Sequence, residues 1–226
     1  MKSYSVFDIM GPIMIGPSSS HTAGAARLAK LAAKIAEGNV KEVIFMLHGS
    51  FSKTYRGHGT DRALVAGILG MDPWDENLRN SFNIAEERGL KYKFEEADLG
   101  DVHPNTVKFI MTDSNGVKTT VTGSSIGGGN IVIFELDGQS IQFTGAHPTI
   151  IINNLDVPGM IYRISNLLFE NNINIASMNV YRKSKGSEAT TVIETDGAVP
   201  ATIIDKIRGI EHVNNVEQIL PPVKGE

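Results

Sequence analysis

The 226-residue sequence contains no cysteine, and that absence removes several kinds of chemistry at once. No disulfide framework, thiol nucleophile, cysteine-ligated zinc or iron–sulfur centre can be built from these residues, so any such group has to arrive on a partner. Basic runs are missing too. The formal charge is -4 and no Lys/Arg cluster occurs, which leaves no electrostatic footprint for nucleic acid. No stretch approaches the roughly 20 apolar residues that span a bilayer, and the opening MKSYSVFDIM lacks the apolar core of a signal peptide. A cytoplasmic protein with no membrane association is expected. Common catalytic signatures are absent as well. Gly127-Gly128-Gly129 is not followed by Gly-Lys-Ser/Thr, and no GxGxxG joins a strand to a helix. No histidine pair has HExxH spacing and no GxSxG elbow is present. No metal site is expected in this chain.

What is present is the composition of a globular protein, 41% hydrophobic and 20% charged with 23 glycines, long enough for one large or two small domains. The most distinctive stretch is Gly16-Pro17-Ser18-Ser19-Ser20-His21-Thr22-Ala23-Gly24, directly before a helical run over residues 23–37 whose Leu28, Leu31, Ala32 and Ile35 share one face. The hydroxyls therefore fall where a helix begins, among amide protons that lack intrahelical partners and favour an anion. Two readings stand: a helix cap with hydrogen-bonded serines around a half-buried histidine, or a site that holds a small acidic molecule beside a titratable ring.

Before that helix, Ser5 to Met10 reads as a short amphipathic segment, and Gly38-Asn39 is the expected helix stop. A strand is expected over 40–47, then a loop over 48–60 (HGSFSKTYRGHGT), rich in side chains able to hold a ligand. Helices follow over 61–69, with Thr60 as cap, and over 75–88. Strand patterns over 91–96, 107–111 and 131–136, with hairpin turns at Ser114-Asn115-Gly116 and Asp137-Gly138, make a first α+β domain with helices early and an antiparallel sheet late. Gly127-Gly128-Gly129 serves either turn geometry or close approach of backbone to a ligand or a neighbouring chain.

A boundary is expected at His147-Pro148, giving domains 1–147 and 148–226. The second reads strand, helix, strand, strand, helix, strand, a ferredoxin-like βαββαβ unit whose sheet edge and helix face suit pairing with a second copy. Its first helix opens at Asp156-Val157-Pro158-Gly159-Met160. Free amides there, with Asn174 nearby, form a candidate effector site for an amino acid carboxylate; the alternative is a proline-initiated helix start. Of the six histidines, His212 reads as structural. His21, His58 and His103 each stand in a Gly/Ser/Pro-rich loop, where neutral imidazole exchanges protons near pH 7.

At GPSSSHT, reinforced by Gly57-His58-Gly59-Thr60-Asp61, His103-Pro104-Asn105 and Ser125-Ile126-Gly127-Gly128-Gly129, the sequence resembles the beta subunits of bacterial iron–sulfur-dependent L-serine dehydratases over essentially its whole length. From about Thr149, through the LDVPGM turn and the INIASMNV strand, it resembles an ACT domain. The fold implied is α+β: a mixed α/β substrate-binding-type domain followed by the ACT domain. The activity implied is that of a lyase, L-serine ammonia-lyase, yielding pyruvate and ammonia, with the [4Fe-4S] cluster carried by a cysteine-containing alpha subunit as Lewis acid and with no pyridoxal phosphate. The resemblance makes His58 and His21 candidate catalytic residues, and Ser18, Ser19, Ser20, Thr22, Thr60, Asp61 and His103 candidate substrate-binding residues. His58 matches the first of a histidine pair in single-chain relatives, whose second position is Gly59 here. The first domain also resembles the allosteric substrate-binding domain of some phosphoglycerate dehydrogenases. The alternative it implies is a non-catalytic regulatory module that binds L-serine or a similar small acid and mediates oligomerisation.

Overall fold

The computed structural model describes residues 14–36, 39–182 and 184–221. The expected segment Ser5–Met10 and the glycine of the Gly38-Asn39 stop lie outside the described residues. The chain divides into two compact units, residues 1–138 and 139–226.

In the first unit a wide π-helical turn, Ser19–Gly24, runs straight into helix α1 (Ala25–Ile35). After β1 (Val40–Leu47) come α2 (Gly49–Thr54) and α3 (Thr60–Ile68), a 3-10 turn (Glu76–Asn80), α4 (Ser81–Glu87) and β2 (Lys91–Glu96). Then follow β3 (Thr106–Asp113), β4 (Lys118–Gly127) and β5 (Asn130–Leu136). Across this unit the strands lie in the order β2-β1-β3-β4-β5. β1 and β2 are parallel and the remaining pairs antiparallel, so the sheet is mixed rather than the purely antiparallel one expected. The parallel pair follows from the helical crossover between β1 and β2, a connection that two-residue turns cannot make.

The alanines of α1 have a packing role. Ala25, Ala26, Ala29 and Ala32 are fully buried, and α3 approaches so closely that a Cβ on Gly67 would overlap the Ala26 carbonyl oxygen and sit 2.6 Å from the Ala29 methyl. On its sheet side, α1 lays Leu28 over Gly123 of β4, where a Cβ would stand 2.7 Å from the leucine. Phe45 on β1 is fully buried, stacked on Phe94 at 4.8 Å and edge-on to Phe109 at 5.8 Å.

Three expectations change here. The loop expected over 48–60 contains α2, whose Ser50 and Phe51 amides both donate to the Pro104 carbonyl, at 2.8 and 3.3 Å. That carbonyl lies on the loop before β3, so nothing local announces the helix. The helix expected over 75–88 breaks into the 3-10 turn and α4. Thr60 does not cap α3: Gly59 occupies the cap position in the left-handed region (φ +69°), and Thr60 is the first helical residue, its hydroxyl buried with no hydrogen-bond partner among the described residues.

The second unit holds β6 (Gln139–Phe143), β7 (Thr149–Leu155), α5 (Met160–Glu170), β8 (Ile175–Arg182), β9 (Glu188–Thr195), α6 (Ala201–Arg208) and β10 (Val213–Ile219). Its antiparallel sheet has the order β10-β7-β9-β8, and with α5 and α6 it is the ferredoxin-like βαββαβ unit. Ile150 and Ile152 alternate out of β7 onto Met160, Ile164 and Leu168, which recur every four residues along α5. In this unit Gln139 accepts a hydrogen bond from Thr190 Oγ1 at 2.8 Å.

Candidate active site

The serine-rich stretch caps a helix and builds a cluster at the same time. Ser18 is the cap, extended at φ -137°, its Oγ accepting from the His21 amide at 3.1 Å. Its carbonyl accepts from both Thr22 N (2.9 Å) and Ala23 N (3.3 Å), one bond α-like and one π-like. The turn is therefore wider than an α-helix, a device common at functional sites, and it swings His21 out of the α1 register.

The His21 ring is held at both nitrogens. Nδ1 lies 3.1 Å from Ser20 Oγ and 3.5 Å from Ser18 Oγ, and Nε2 lies 3.1 Å from Ser50 Oγ. Phe51 packs edge-on against the ring at 5.2 Å. Burial, and secondarily the neighbouring His58, push the His21 pKa below its ordinary value, so the ring is neutral at pH 7. A neutral imidazole suits this setting. Hydroxyls donate or accept, so one serine receives the ring N–H while another donates to the bare nitrogen.

His58 meets His21 edge to face, ring centroids 5.0 Å apart. It is exposed, and neither of its ring nitrogens has a hydrogen-bond partner among the described residues. Its backbone is fixed: the His58 carbonyl accepts from Thr22 Oγ1 at 3.2 Å, and its amide donates to Thr54 O at 3.1 Å. The pair thus joins a held, neutral imidazole to an accessible one whose nitrogens are unpartnered among the described residues, an arrangement that can pass a proton.

The other sequence candidates fall into place around this pair. Ser18 and Ser20 touch His21, while the Ser19 hydroxyl makes no hydrogen bond among the described residues. Thr22 and Thr60 are buried at 1% and 0% exposure, so they support the loop from behind. Asp61, in the first turn of α3, accepts from the Arg62 amide, and burial raises its carboxyl pKa. His103 is not drawn into the cluster: its exposed ring accepts from the Asn105 amide at 3.1 Å, although Pro104 beside it braces α2. Sequence reasoning missed Ser50, Phe51 and Ser125. Ser50 and Phe51 lie inside the ligand-rich loop and Ser125 inside the SIGGG stretch, but no spacing rule connects either to residue 21. At Gly127-Gly128-Gly129 all three residues have positive φ, and a Cβ on Gly127 would meet nothing within 4 Å. Turn geometry explains that triplet.

For an iron–sulfur cluster the donor set of this chain does not fit. The sequence has no cysteine, and the described residues bring no three His, Asp or Glu side chains together around a metal position.

In the second unit, the polar side chains of the candidate effector turn have partners within their own unit. The Asp156 carboxylate accepts from the Gly186 amide and Arg182 Nη1, both at 3.0 Å, and these contacts, the amide first, hold its pKa below the usual carboxylate range. Asn174 Nδ2 donates to Asp196 at 2.7 Å. Met160 is 3% exposed within the core and Val157 packs against it. Gly159 caps α5 at φ +89° with no side-chain bond, next to Pro158.

Comparison with known proteins follows the same division. A family model described as "Serine dehydratase beta chain" matches residues 5–135, and one described as "ACT domain" matches residues 149–212. The "L-serine dehydratase, beta chain" of Peptoniphilus asaccharolyticus is 42% identical over 220 residues, 97% of this chain and 99% of that protein. The "Probable L-serine dehydratase, beta chain" of Bacillus subtilis (strain 168) is 42% identical over 219 residues with the same coverage. A "D-3-phosphoglycerate dehydrogenase" of Methanocaldococcus jannaschii is 31% identical over 86% of this chain, which spans 37% of that longer protein.

Proposed function

This chain belongs to the serine dehydratase beta chain family and carries an ACT domain, and we propose that it works as the beta subunit of a two-subunit L-serine ammonia-lyase, a lyase that converts L-serine to pyruvate and ammonia. The observation that carries this reading to particular residues is the His21–His58 pair. His58 is the accessible ring, so it takes the Cα proton of L-serine. His21, neutral and held by Ser18, Ser20 and Ser50, packs edge-on against that ring at 5.0 Å and steadies it. Ser18, Ser19 and Ser20 offer hydroxyls to the substrate's polar groups, with Thr22, Thr60 and Asp61 shaping the loop behind them. Loss of the Cα proton and the Cβ hydroxyl leaves aminoacrylate, which tautomerises and hydrolyses to pyruvate and ammonia. The iron–sulfur cluster belongs to the alpha partner in this reading, since this chain has no cysteine. The ACT domain serves self-association, with effector binding at the Asp156–Met160 turn and Asn174. Its place of work is the cytoplasm, and no helix among the described residues is long and apolar enough to cross a membrane.

A second reading draws on the likeness to phosphoglycerate dehydrogenases, which covers 86% of this chain. On it, the first unit binds a small hydroxy or amino acid without turning it over. One experiment separates the two: saturated turnover of H21A and H58A, each reconstituted with the alpha partner under anaerobic conditions. Large losses with subunit association intact support the catalytic reading. Wild-type turnover with altered cooperativity supports the regulatory one.

A further inference from the structure

The π-helical turn that presents His21 is held from outside by a residue the mechanism above does not use. Ser125 lies near the end of β4 and is fully buried. Its Oγ–H donates to the Ser20 carbonyl at 2.9 Å, across more than a hundred residues of chain, and its amide donates to the Asn105 carbonyl at 3.0 Å. One residue thereby ties the turn carrying His21 to the loop before β3, the same loop whose Pro104 carbonyl holds the Ser50 and Phe51 amides of α2. Two of the three hydroxyls on the His21 ring, Ser20 on one nitrogen and Ser50 on the other, are thus set through backbone that meets at residues 104–105 and 125.

The fit on the opposite side is tight. A Cβ at Gly24, the last residue of the π-turn, would overlap Ser125 Oγ and stand 2.9 Å from Ser125 Cβ. Gly24 has ordinary helical backbone angles, so the glycine is explained by this contact and not by conformation. A second tie lies just beyond: Arg27 Nη1 donates to the Gly129 carbonyl at 2.7 Å, fastening the β4–β5 turn to α1.

We propose that Ser125, seated against Gly24, is a positioning residue for the His21–His58 pair, acting through the Ser20 carbonyl to fix where the Ser20 hydroxyl meets His21 Nδ1. Its role in turnover rests on the catalytic reading above. The positional role does not, and the two are measured separately.

The test uses the full-length chain carrying S125A, with G24A as a second variant that breaks the same contact from the other side. Imidazole 15N shifts of His21 in the chain alone report which nitrogen bears the proton. S125A frees the Ser20 carbonyl, so the shifts move away from the wild-type tautomer pattern, and G24A moves them the same way while thermal unfolding stays cooperative. In the complex reconstituted with the alpha partner, S125A lowers kcat about tenfold, the scale of one buried hydrogen bond, with KM little changed. Wild-type His21 shifts in folded S125A overturn the proposal whatever the turnover. Altered shifts with wild-type turnover establish the positional link and overturn the catalytic reading of the pair instead.

Discussion

Among the described residues, two helices have a left-handed glycine at the cap position, and both starts were candidate binding sites. α3 begins after Gly59 (φ +69°) and α5 after Gly159 (φ +89°), neither with a side-chain cap, and a Cβ on either glycine would meet nothing within 4 Å. Locally the two are alike; their surroundings are not. The residues before α3 are drawn to distant chain, with His58 against the His21 ring and its carbonyl under the Thr22 hydroxyl. Before α5, Asp156 turns onto Gly186 and Arg182 of its own small unit, while Met160 enters the core. A helix start supplies amides in both places. Only in the first do side chains from several segments converge on a ring whose nitrogens have no partner among the described residues.

The isolated chain is expected to form no pyruvate from L-serine, and to do so only with the alpha subunit under anaerobic conditions; a lactate dehydrogenase-coupled assay of the purified chain checks this. Next in size, H58A and H21A in the reconstituted complex should each lower saturated turnover by roughly 10²- to 10⁴-fold, the usual scale of acid–base catalysis. D156A and G159A should leave it near wild type. Equal losses in both regions would mean that both helix starts take part in turnover.

Stability sharpens the contrast further. G67A forces a methyl between α1 and α3 and should cost about 3 kcal/mol by overpacking. G159A meets no atom and should cost about 1 kcal/mol from left-handed strain alone, so urea midpoints should fall further for the first. A smaller effect is pH-dependent. Burial and His58 depress the His21 pKa from its ordinary 6.5, so in the window just below 6.5 the unfolded chain binds a proton that the folded chain refuses. The stability this contributes is complete above 6.5 and is lost as pH falls through the folded pKa. H21Q should therefore lose less stability than wild type when urea melts at pH 8 and pH 5.5 are compared. The smallest change is expected from D156A, which removes a solvent-exposed pair and one amide contact and should shift the melting temperature only slightly.

Much of this molecule was legible before its structure. β1 and β2 fall on the residues expected, and the second unit has the βαββαβ order expected, with Pro200 at the cap of its second helix. These signals are local, carried by backbone periodicity and turn residues within a few positions. The absence of cysteine likewise determined from composition that an iron–sulfur cluster cannot be ligated here. Tertiary structure alone decided the rest. α2 exists because Pro104 accepts its first amides, the His21 register because Ser125 holds Ser20, and the histidine pair because Thr22 holds the loop of His58. Each of these contacts joins residues tens of positions apart, where no helical or strand period reaches, so their energies enter only once the sheet has brought those segments together.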